Sequence, residues 1–71
     1  MKNKEDLIYD LIFSDNTEYK IDVSEYNVDI YKYDDFIDEI KKVLKKSKVS
    51  IIKEKVDIDT KSAIWNLKVK K

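Results

Sequence analysis

Between Asp34 and Ser47 the apolar residues recur with a helical period. Phe36, Ile37, Ile40, Val43 and Leu44 stand at i, i+1, i+4, i+7 and i+8, which gathers them on one face of a 3.6-residue repeat. Asp34 offers a carboxylate to a first-turn amide that has no helical partner, the role of an N-cap. Asp35, Asp38 and Glu39 come early and Lys41, Lys42, Lys45 and Lys46 come late. That order opposes the helix macrodipole at both ends, at roughly 0.3–1 kcal/mol per favourable charge. Pairs such as Asp38 with Lys42 add i, i+4 attraction. The pattern predicts a helix over about 34–47, ending near Ser47-Lys48 without the glycine that commonly closes a helix.

The C-terminal third has a period of two. From Lys61 to Lys70, Ala63, Trp65, Leu67 and Val69 alternate with Ser62, Asn66, Lys68 and Lys70, the signature of a strand with one face inward. Val49–Ile58 is a second strand whose apolar phase slips between Ile51 and Ile52. The slip suggests a bulge, or a strand buried on both faces at its start. A two-residue turn at Asp59-Thr60 would pair Val56 with Ala63 and Ile52 with Leu67. It would also set Glu54 against Trp65, a poor match.

The N-terminal half carries two readings. Leu7, Ile8, Leu11 and Ile12 fit a helix opened by Asn3 with Glu5 and Asp6 in its first turn, whereas Leu7, Tyr9, Leu11 and Phe13 fit a strand. Context favours the strand. Ser14-Asp15-Asn16-Thr17 is a turn signal, and Glu18–Val23 alternates polar and apolar. A hairpin pairing Phe13 with Tyr19 and Leu11 with Ile21 keeps both apolar sets on one face. Ser24–Asn27 reads as a turn. Residues 28–33 read as a short third strand, with Val28 and Ile30 on one face and Tyr31 and Tyr33 on the other. The expected fold is a small α+β single domain over 1–71: hairpin, short strand, one helix, hairpin. The antiparallel sheet would have four or five strands and the helix on one face.

Composition narrows the chemistry. The 71 residues contain no Gly, Pro, Cys or His, and all fifteen basic residues are lysine. Turns must then rely on Asn, Asp, Ser and Thr, and glycine-rich phosphate loops are excluded. The lysine, Ile, Asn and Tyr usage suggests an AT-rich genome. No apolar run exceeds three residues, far short of a membrane span, and no signal peptide is visible. A soluble, cytoplasmic protein is the simplest expectation. Charge adds the one asymmetry. Residues 1–40 hold four lysines against twelve acids, a net −8, and residues 41–71 hold eleven lysines against three acids, a net +8.

Without His or Cys the usual general base and thiol nucleophile are missing, so a non-enzymatic role without cofactor is expected. The carboxylate pairs Asp34/Asp38 and Asp35/Glu39 are better explained by capping and dipole complementation. Asp57-Ile-Asp59 lacks the glycine and terminal glutamate of a calcium loop, so no metal site is expected. A protein partner is the leading expectation, because five tyrosines and one tryptophan suit an interface. Glu18, Asp22, Tyr26, Asp29, Tyr31 and Tyr33 are the candidate contacts. An acidic, tyrosine-bearing face of this kind would occupy a basic, nucleic-acid-binding groove, the mode of small phage or plasmid inhibitors. The alternative is nonspecific nucleic-acid binding through Lys42, Lys45, Lys46, Lys68 and Lys70, with Lys53, Lys55 and Lys71 joining the surface. Trp65, in phase with Ala63 and Leu67, belongs to the core. A third reading is self-association, by docking of an acidic surface on a basic one or by pairing of two strand edges; lysine on the C-terminal strand argues instead for a protected edge.

Overall fold

The C-terminal strand lies at the centre of the sheet, and the rest of the chain is arranged around it. The computed structural model describes residues 2–71, and of Ile30 the backbone alone. In chain order the elements are α1 (Lys4–Phe13), β1 (Glu18–Asp22), a 3-10 turn (Val23–Tyr26), a second 3-10 turn (Ile30–Lys32), α2 (Tyr33–Lys46), β2 (Ser50–Ile58) and β3 (Ala63–Lys70). The three strands form an antiparallel sheet in the order β1-β3-β2. The expected α+β class holds, with two α-helices and three strands among the described residues.

The residues expected to form the first strand form α1 instead. Asn3 caps it, its side chain accepting from the Glu5 amide at 2.7 Å, and Glu5 and Asp6 fill the first turn, as the helical reading required. The expected pairing of Phe13 with Tyr19 and Leu11 with Ile21 is lost to β3, where Tyr19 faces Leu67 and Ile21 faces Trp65. A fully buried Trp offers Ile21 more apolar surface than a second local strand would. The expected strand over 28–33 is also absent: it is a 3-10 turn that runs into α2, and Tyr33 is buried in the first turn of that helix. The side chain of Ile30, expected on one face with Val28, lies outside the described residues.

Helix α2 follows its pattern, with Phe36, Ile37, Ile40 and Leu44 buried and Val43 half-buried. Asp34 is not its N-cap; Lys32 holds that position without a side-chain bond. Its C-terminus solves the missing-glycine problem with lysine. Lys48 takes φ 61, the Val49 amide donates to the Leu44 carbonyl at 2.9 Å, and the Lys48 amide donates to the Lys45 carbonyl at 3.2 Å. This is a Schellman closure, with Leu44 and Val49 both buried as its apolar contact. Asn27, φ 57, makes the other left-handed turn.

Strand β2 carries the expected bulge, a register shift between Ile51 and Lys53. The β2–β3 hairpin is shifted by two residues from the expected register: Ile58 faces Ala63, Val56 faces Trp65 and Glu54 faces Leu67. Its loop is therefore Asp59–Ser62, closed by the Asp59 amide on the Ser62 carbonyl at 2.8 Å. A two-residue slip leaves every side chain on its own face, so alternation alone cannot distinguish the two registers. Glu54, on the helix-facing side, is met by Lys41 of α2 at 2.5 Å. Both helices cover that side. Leu7, Leu11, Ile40 and Leu44 join Ile21, Trp65, Leu67 and Val69 in one buried cluster. The indole N–H of fully buried Trp65 has no hydrogen-bond partner among the described residues.

Candidate binding surfaces

The outer side of α1 is where the apolar pattern and the core disagree. Leu7 and Leu11 point inward and Ile8 and Ile12 pack partly against the core. Tyr9 and Phe13, four residues apart on the opposite side, are 66% and 68% exposed. Their rings lie 4.7 Å apart between centroids, tilted by 44°, an i, i+4 contact on the helix surface. Glu5 and Asp6 precede Tyr9 by four and three residues, and Asp10 precedes Phe13 by three, so acids border the pair. Lys4, the helix's only base, turns away to bond Glu39 of α2 at 2.8 Å. That carboxylate raises the Lys4 pKa above its ordinary value.

The end of α1 is held by residues from far along the chain. It has no basic residue in its last turn. The Tyr19 hydroxyl donates to the Asp10 carbonyl at 2.9 Å and the Lys71 ammonium donates to the Ser14 carbonyl at 2.5 Å. Positive charge and donors at these carbonyls complement the helix dipole. Lys71 is therefore committed to capping rather than to a basic surface.

The expected acidic, tyrosine-bearing face is dispersed. Tyr33 is buried, and Tyr26 is half-buried with its ring 5.5 Å from that of Phe36; burial raises its phenol pKa. Asp22 caps the first 3-10 turn, accepting from the Ser24 hydroxyl at 2.6 Å and the Ser24 amide at 3.1 Å. The Ser24 hydroxyl is the main reason its pKa falls below 3.8. Glu18 and Asp22 lie on β1, while Asp29 lies in the loop before the second 3-10 turn. Of the three expected tyrosines only Tyr31 is exposed, at 94%. Tyr9 and Phe13 were not among the expected contacts, because a strand would have turned them inward. Their signal was present, since a helix through Leu7 and Leu11 must put residues 9 and 13 on its far side.

The expected basic surface divides in two. Lys42, Lys45 and Lys46 are exposed on the outer side of α2, whereas Lys68 and Lys70 point from the face of the sheet that no helix covers. Lys20, Lys53 and Lys55 share that open face, by their register with Asn66, Lys68 and their neighbours. The C-terminal strand is central, so its lysines protect no edge; at the β2 edge the bulge and Lys53 and Lys55 do so. The expected Asp38–Lys42 pair does not form within 4.0 Å; α2 uses Glu39 and Lys41 to reach α1 and β2 instead. Among the described residues no three His, Cys, Asp or Glu side chains converge as metal ligands, and no helix is long and apolar enough to cross a membrane.

No family model, curated protein or solved structure matches the chain.

Proposed function

We propose that this protein is a non-enzymatic binding module whose partner is another protein, engaged through the outer side of α1. The contacting, solvent-exposed pair Tyr9 and Phe13 carries the reading. Aromatic side chains dominate the energetics of interfaces because they bury much area for little lost freedom, and here two stand together on a rigid helix. Glu5, Asp6 and Asp10 around them favour a partner with a basic surface. Occlusion of that surface would displace any polyanion it holds, which is the inhibitor mode. Tyr31 is the next exposed aromatic anchor.

Capture from the source cell tests the reading. Wild-type protein should retain a basic partner that Tyr9→Ser/Phe13→Ser and Glu5→Lys/Asp6→Lys variants lose. Both variants should fold, because every changed side chain is exposed. A partner retained equally by wild type and both variants would overturn the assignment.

A further inference from the structure

The open face of the sheet carries a lysine array that the fold does not need. Lys20, Lys53, Lys55, Lys68 and Lys70 project from it around Asn66, and a shallow basin of about 500 Å³ lies over its middle. Lys53 and Lys68 are direct cross-strand partners, an arrangement in which like charges oppose pairing. Compensation is slight. Lys68 has Glu18 at 4.0 Å and Lys55 has Asp57 at 3.9 Å, while Lys20, Lys53 and Lys70 have no ion pair among the described residues. Of the three acids on this face, Asp22 is bound to Ser24. It flanks Ile64 with Asp57 at one end of the sheet, and Glu18 is the acid that stands beside the lysines at the other.

We infer that this open face binds the phosphate backbone of double-stranded nucleic acid without sequence preference. Charge complementarity identifies the occupant. Lysines two apart on a strand are about 7 Å apart and neighbouring strands about 5 Å apart, so the array presents several positive charges to a rigid, densely charged polyanion. Trp65 is buried beneath the sheet, the face bears no aromatic ring and the chain has no arginine. Base stacking and bidentate base reading are therefore both missing, and phosphate contact is what remains. This surface lies on the opposite side of the sheet from α1, so it is independent of the protein-binding face.

A labelled 20-base-pair duplex, titrated with the whole chain at several salt concentrations, tests it. With four or five phosphates contacted, affinity should fall roughly 10²–10³-fold between about 50 and 200 mM salt. Lys53→Gln/Lys68→Gln should flatten the log–log salt slope by roughly 2, and Glu18→Gln should tighten binding. Lys42→Gln/Lys45→Gln/Lys46→Gln and Tyr9→Ser/Phe13→Ser should leave it unchanged. The free Lys53→Gln/Lys68→Gln protein should melt at or above the wild-type temperature, because a repulsive pair is gone. No binding at about 50 mM salt overturns the inference, as does equal loss in the α2 variant. Competition by poly-glutamate as strong as by unlabelled duplex would also overturn it, assigning the face to an acidic protein.

Discussion

The two helices lie on the same side of the sheet and are built on opposite plans. Helix α2 is amphipathic: its apolar residues are buried or half-buried, and its polar side holds acids first and lysines last. Helix α1 buries Leu7 and Leu11 yet also sets Tyr9 and Phe13 in water. A helix that is apolar on both sides ordinarily has neighbours on both sides. For α2 the fold accounts for the apolar surface; for α1 it accounts for half. The difference separates a structural helix from one with a surface to spare.

The largest effects should be equal in the two helices. Leu11→Ala and Ile40→Ala each empty a fully buried site and should cost about 2–5 kcal/mol in denaturant unfolding. A cost below about 1 kcal/mol for Leu11→Ala would mean that α1 is not docked, and the comparison would fail. The helix ends should then move in opposite directions. Asn3→Ala removes the side-chain cap of α1 and should destabilise by about 1 kcal/mol. Lys48→Gly relieves a left-handed lysine after α2 and should stabilise by about 0.5–1 kcal/mol; Lys48→Val should be worse than wild type.

Smaller effects sharpen the contrast. Tyr9→Ser and Phe13→Ser should each change stability by no more than about 0.5 kcal/mol, as expected of exposed positions, while abolishing partner capture. The smallest effect is the acid response of the turn after β1. Because the folded-state pKa of Asp22 lies below its ordinary 3.8, its ionised form stabilises the fold above that pH, and the contribution is lost as pH falls through the lowered pKa. Thermal melts of Ser24→Ala between about pH 2 and 6 should therefore show a shallower acid decline than wild type.

Much of the fold was legible in the residues themselves. Helix α2, strand β3, the bulge near Ile52 and the burial of Trp65 all follow from periodicity and local chemistry. These are properties of neighbouring residues and need no knowledge of what lies across the fold. The site was less legible, because its aromatic pair changes side when the element changes type. Leu7–Phe13 satisfies a period of two and a period of 3.6 together, so its own residues do not choose between strand and helix.

Tertiary structure made the remaining decisions. It gave β1 to the C-terminal strand rather than to its sequence neighbour, where fully buried Trp65 offers Ile21 a larger apolar surface than Leu11 would. It chose the β2–β3 register from two that leave every face unchanged. It also resolved the opposed charges of the two halves of the chain. Lysines from Lys20 to Lys70, far apart in sequence, meet on one open face only because three strands bring them there. The acids of residues 5–10 stay apart from them because α1 lies beyond the core. Sequence determines which residues seek burial and at what period; which surfaces are left over depends on contacts between distant elements.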